Sequence, residues 1–92
     1  MPQQLAVLVV DDSDVLRTVV SAYLDGEVDL QVIASVSSGR AAVRHVRSHC
    51  PDVILLDHQM PDGNGLEVLP ELRGRCPQAR IVMFSTSLEV RH

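Results

Sequence analysis

Apolar residues fall along this chain in two alternating rhythms, and the alternation predicts strands and helices in turn. Leu5 to Val10 is an unbroken apolar run that ends in the acids Asp11 and Asp12, the pattern of a strand buried on both faces of a parallel sheet. Ser13 then offers an N-cap and Asp14 sits in the first turn. Val15, Leu16, Val19, Val20, Tyr23 and Leu24 follow at helical spacing up to Gly26, which predicts a helix with one apolar face. Leu30 to Ala34 is a second, shorter strand. Ser37, Ser38 and Gly39 introduce a second helix carrying Ala41, Ala42, Val43 and Val46, which stops before Pro51. Val53 to Leu56 is a third strand with Asp57 at its end, Pro61 to Gly65 is a turn, and Leu66, Val68, Leu69 and Leu72 mark a third helix. Pro70 lies inside that helix, where it removes a backbone donor and crowds the preceding turn, so a kink or an early end is expected. Ile81 to Phe84 is a fourth strand, closed by Ser85 and Thr86.

Strands alternating with helices predict a single α/β domain over residues 1–92, with a parallel sheet and right-handed crossovers. No repeat or linker-like stretch divides it. Ligands of such sheets bind beyond the carboxyl ends of the strands, and Asp11, Asp12, Asp57 and Ser85 all fall there. If the first and third strands are neighbours, three carboxylates converge. Crowded carboxylates repel one another, which favours a bound cation, and hard oxygen ligands select Mg²⁺ over zinc or copper. The alternative use of Asp11 and Asp12 is to cap the first helix.

Composition narrows the functional classes. Eight basic against twelve acidic residues give a net charge of −4, and no basic cluster is dense enough to neutralise a run of phosphates, so direct nucleic-acid binding is not expected. Arg40, Arg44 and Arg47 recur at helical spacing and read as a solvated face. His45 and His49 are spaced like a metal pair but have no third ligand in view. All eight basic residues are arginine, so no mechanism that needs an ammonium group can be run by these residues alone. Cys50 and Cys76 lie far apart, each beside a proline and without a C-x-x-C motif, and are expected to be free buried thiols in a reducing cytosol. The N-terminal segment has neither the charge of a signal peptide nor the length of a membrane span, so a soluble cytoplasmic protein is expected.

Three ordered motifs then carry a resemblance: Val-Val-Asp-Asp-Ser after the first strand, Leu-Leu-Asp-His-Gln-Met-Pro-Asp-Gly-Asn-Gly after the third, and Met-Phe-Ser-Thr closing the fourth. Together they resemble the receiver domain of two-component response regulators over essentially the whole chain. The resemblance implies a doubly wound, flavodoxin-like parallel sheet with strand order 2-1-3-4. It also implies that Asp57 is the phosphoacceptor, taking a phosphoryl group from a sensor histidine kinase, a phosphotransfer protein or a small phosphodonor. Asp12 would bind Mg²⁺ directly, Asp11 through water, Asp57 as nucleophile and ligand, and Gln59 through its backbone carbonyl, while Ser85 would hydrogen-bond the phosphoryl group. Such a domain is a signalling module and not an enzyme beyond its own phosphorylation and dephosphorylation. His58 and Thr86 occupy positions from which phosphate access could be tuned.

The pattern breaks after the fourth strand. Helix four, strand five and helix five of the receiver fold are missing, with the lysine that ends strand five. The fourth strand therefore becomes an edge and the first helix loses a neighbour, which leads to the expectation of a homodimer through strand four or by exchange of elements. Leu88 to His92 fits either the start of a fourth helix or a cloning remnant. The competing function is a phosphorylation-independent interaction or dimerisation module. A haloacid dehalogenase-type phosphatase would need an acid where Gln59 stands.

Overall fold

The computed structural model describes residues 4–57, 60 and 65–84. Its elements run β1 (Leu5–Val10), α1 (Asp14–Asp25), β2 (Leu30–Val36), α2 (Gly39–Val46), β3 (Val53–Asp57), α3 (Gly65–Arg75) and β4 (Arg80–Phe84). The four strands form one parallel sheet in the order β2-β1-β3-β4, as expected for a flavodoxin-like receiver fold. β1 is thus an inner strand, and its apolar run is explained by neighbours on both sides: Val7 to Val10 are all buried. Val10 stands beside Leu56 of β3 and Val36 of β2, so the residue after each strand opens on the same end of the sheet.

β2 is longer than its apolar run. Ser35 and Val36 pair with Val9 and Val10, and Val36 accepts a hydrogen bond from the backbone of Asp11 at 3.1 Å. The polar Ser35 is exposed on this outer strand, where the ladder to β1, and not burial, sets the extent. The pairing slips between Val7 and Leu8, where Val32 and Ala34 are the successive partners and Ile33 is bypassed.

The helices start as their caps require. Ser13 accepts a bond from the Leu16 amide at 3.2 Å and Ser38 from the Ala41 amide at 3.0 Å, each satisfying a donor that the first turn leaves open. α1 stops at Gly26, but with φ at −74° the glycine is not in a left-handed cap. α3 does not end at Pro70; it continues to Arg75, with Pro70 exposed. A single lost bond on a solvent-facing side is tolerable when Leu72 and Cys76, further along, are buried in the core.

The core lies on one face of the sheet. Leu8 and Val10 of β1, Ile54 and Leu56 of β3, Ala42, Val43 and Val46 of α2, and Leu72 of α3 form one buried cluster with Met60 and Cys76. On the other face α1 has no fully buried residue. Its expected single apolar face divides in two: Leu16, Val20 and Leu24 are half-buried, whereas Val15, Val19 and Tyr23 are exposed at 71%, 57% and 74%. Among the described residues no helix is long and apolar enough to cross a membrane.

α2 and α3 approach closely at Gly39, where an added Cβ would sit 2.8 Å from Cγ1 of Val68. Gly39→Ala is expected to lower stability by about 1 kcal/mol, because overpacking costs ~1–3 kcal/mol and the helix-propensity gain is smaller. Gly74→Ala, whose Cβ meets nothing within 4 Å, should raise it by up to ~1 kcal/mol. Urea midpoints of the two variants measure the contrast, and equal shifts would show that the Gly39 approach imposes no constraint.

The expectation of two free thiols is overturned. Cys50 and Cys76 form a disulfide, with Cα atoms 5.7 Å apart, and no described cysteine is free. Cys50 precedes β3 and Cys76 follows α3, and because a strand-helix unit returns to the end of the sheet where it began, 26 residues of separation bring the two together. Cys50 is exposed and Cys76 is 2% exposed, so only one residue of the pair is buried. At the same end of the sheet Asp52 joins three strands. Its Oδ2 accepts from the Ala6 amide at 2.7 Å, its amide donates to the Ala6 carbonyl at 2.8 Å, and its carbonyl accepts from the Arg80 amide at 2.9 Å.

Candidate metal and phosphoryl site

At the opposite, carboxyl end of the sheet three acids meet. Asp11 follows β1 and Asp57 ends β3, and the adjacency of those two strands brings Asp57 within reach of the Asp11–Asp12 link. One carboxylate oxygen from each of Asp11, Asp12 and Asp57 lies within 4.8 Å of the others. Asp11 and Asp57 are fully buried and Asp12 is exposed. The site therefore has a dry floor and one wet ligand.

The Asp11 carboxylate is held and yet incompletely satisfied. Its Oδ1 accepts from the Ser13 amide at 2.9 Å, an Asx-type turn that also sets the entry to α1. Its Oδ2 is buried without a hydrogen-bond partner. Burial raises the pKa of Asp11 above the ordinary 3.8, and repulsion from Asp57 and Asp12 adds to the rise, against a lowering from the Ser13 amide. A buried acceptor with an open lone pair, beside two further carboxylates, fits a hard divalent cation, which would satisfy the oxygen and offset the repulsion together.

Arg17 escaped the sequence reading. From the first turns of α1 its Nη1 donates to the Asp11 carbonyl at 2.7 Å, while Nη2 pairs with the Asp14 carboxylate three residues earlier. The arginine thereby braces the backbone that carries both acids. Its spacing from Asp14 is visible in the sequence, but an i, i+3 pair gives no hint of the carbonyl contact. Gln59 and Ser85, expected at the metal and the phosphoryl group, lie outside the described residues, as do His58 and Thr86. Met60 is buried in the core. Arg40, Arg44 and Arg47 are exposed, as their reading as a solvated face requires.

The family model for the response regulator receiver domain matches residues 7–92. The chain is 42% identical over 80 residues to a protein-glutamate methylesterase/protein-glutamine glutaminase of Azospirillum brasilense, covering 87% of this chain and 20% of that protein. It is similar to the response regulator domain of Thermotoga maritima CheB, with a TM-score of 0.84, 34% identity, and coverage of 95% of this chain and 64% of that one. It is also similar to a chain in the CheX-CheY-BeF3-Mg²⁺ complex of Borrelia burgdorferi, with a TM-score of 0.83, 26% identity, and coverage of 95% and 66%. The chain spans about a fifth of the length of the curated relatives it matches.

Proposed function

The chain belongs to the response regulator receiver domain family, and from that premise we propose that Asp57 accepts a phosphoryl group from the phosphohistidine of a sensor kinase or phosphotransfer protein, with Mg²⁺ held by Asp11, Asp12 and Asp57. The observation that carries the reading is the meeting of three carboxylates within 4.8 Å around a buried, unpartnered oxygen of Asp11. Gln59, through its carbonyl, and Ser85, through its hydroxyl, complete the proposed set.

The residues divide the chemistry between them. An Asp57 carboxylate oxygen forms the new bond to phosphorus as the bond from phosphorus to the donor's imidazole nitrogen breaks, and the imidazole leaves with a proton; the product is an acyl phosphate. A bound Mg²⁺ supplies charge neutralisation for the nucleophile and the phosphoryl oxygens. Asp11 and Arg17 work before the reaction, one by presenting an oxygen into the cluster and the other by holding the peptide from which both acids project. Transfer to Asp57 replaces a single carboxylate charge with an acyl phosphate of about −1.5 to −2, a net gain of up to about one negative charge and three acceptor oxygens at a fully buried position, which is the physical basis of a switch.

In the curated relatives the matched region is one part of an enzyme; the reading here is of a phosphoacceptor module and assigns no hydrolase chemistry to these residues. Incubation with acetyl phosphate and Mg²⁺, followed by intact mass measurement, should show a gain of one phosphoryl group that disappears on chelation. No gain under those conditions would leave the competing reading, an interaction module that ignores phosphorylation.

A further inference from the structure

The sulfur pair lies at the end of the sheet away from the acids and plays no part in the chemistry proposed there. It borders an open depression of about 410 Å³. Cys50 lines the depression together with Arg47, His49, Gly74 and Arg75, and no acidic side chain is among its described lining residues. Cys50, the exposed residue of the disulfide, thus lines a small basic basin in a chain whose net charge is −4.

The geometry points to a thiol-exchange site at Cys50 that takes an anionic low-molecular-weight thiol. The incoming thiolate attacks Sγ of Cys50, because Cys76 is 2% exposed; the Cys50–Cys76 bond breaks and Cys76 leaves as a thiolate that takes a proton from water. A second thiolate then attacks the small-molecule sulfur of the mixed disulfide and releases Cys50. Two thiols are oxidised to one disulfide, and two electrons and two protons end on the two cysteines. The reduced state has a place for its new proton. Sγ of Cys50 lies 3.4 Å from the Arg75 carbonyl, a contact that offers no hydrogen bond in the disulfide, which has no S–H, and becomes one in the thiol. Arg47 and Arg75 meet the carboxylates of the incoming thiol and raise its local concentration.

The consequence reaches the phosphoacceptor by topology. The segment between Cys50 and Cys76, closed by the disulfide, contains the whole of β3, Asp57 and α3, so exchange opens or shuts a covalent ring around the strand and helix that flank the site. This holds whether or not Asp57 is phosphorylated.

The test uses the full chain, oxidised, at low ionic strength. Glutathione as the anionic thiol and cysteamine as the cationic one are compared, each rate being divided by the same thiol's rate with a neutral linear disulfide. The normalised rate for glutathione should exceed that for cysteamine by about fivefold or more, and the ratio should fall toward one in ~1 M salt. Gly74→Glu places an acid in the depression at a position with open space around its Cβ, and should erase the preference, while Gly74→Ala should retain it. Peptide mapping of the trapped intermediate should locate glutathione on Cys50. Equal normalised rates, glutathione on Cys76, or two alkylatable thiols remaining after oxidation would each overturn the assignment.

Discussion

Asp57→Asn is expected to abolish stable phosphoryl uptake, lowering the rate of mass gain with acetyl phosphate and Mg²⁺ by about a thousandfold or more. The amide keeps the shape of the side chain and an oxygen at a similar place, but that oxygen is neutral and a poor nucleophile toward phosphorus. The backbone pairing of the strand survives the change, because residue 57 pairs with Phe84 and closes the β3–β4 ladder whichever side chain it carries. The wild-type adduct should be released by hydroxylamine, as an acyl phosphate is, and urea midpoints of the two proteins should show that the variant remains folded. An undiminished mass gain in Asp57→Asn would place the nucleophile elsewhere and remove the central residue of the proposed function.

The second large effect concerns Asp11, where binding and stability pull in opposite directions. Asn at this position can still accept the Ser13 amide through Oδ1, but it carries no charge to bury and none to repel Asp57 and Asp12. Without cation, Asp11→Asn is expected to be the more stable protein by on the order of 1 kcal/mol near neutral pH. The pH dependence has a definite sign. The folded chain's Asp11 pKa is raised above 3.8, so between 3.8 and the raised value the folded state holds a proton that the unfolded state has released. Stability contributed by that proton is lost as pH rises through the window, and the advantage of Asp11→Asn over wild type should grow across it and then level off. Mg²⁺ should reverse the order, because wild type gains the full binding linkage, about 2.7 kcal/mol at a hundred times the Kd, while the variant, left with two of the three carboxylates, gains less. Denaturation of both proteins with and without Mg²⁺ checks the crossing. A variant less stable than wild type in the absence of cation would mean that Asp11 is already well satisfied in the apo chain.

What was legible in the sequence follows from how local the cause is. Strands with unbroken apolar runs, such as Leu5 to Val10 and Val53 to Leu56, and helices with serine caps at Ser13 and Ser38 declare themselves within a few residues. The acids were readable because each stands at the end of such a run, and strand adjacency does the rest. Ser35 and Val36 were missed because their place in β2 is set by pairing to β1, a partner about 25 residues away. The Cys50–Cys76 bond was missed for a related reason: the return of a strand-helix unit to its starting level is a property of three-dimensional closure, and neither cysteine has a neighbour that announces it. Arg17 illustrates a third limit, since its contact with the Asp11 carbonyl depends on where the first turn of α1 aims, not on which residues it contains. The division of α1 into a half-buried and an exposed stripe was likewise invisible, because periodicity marks what is apolar and not what is covered.

That division has a dynamic consequence for the site. Residues 11–13 join the most deeply packed strand to the helix least anchored in the core, so excursions that lift α1 would re-aim the two acids while β1 stays put. An ion engaged by Asp11, Asp12 and Asp57 would select the docked member of that ensemble and damp the fluctuation. Occupancy of the carboxylates would then be felt along the length of the helix as slower amide exchange, turning a local coordination event into a change in rigidity on one whole side of the sheet.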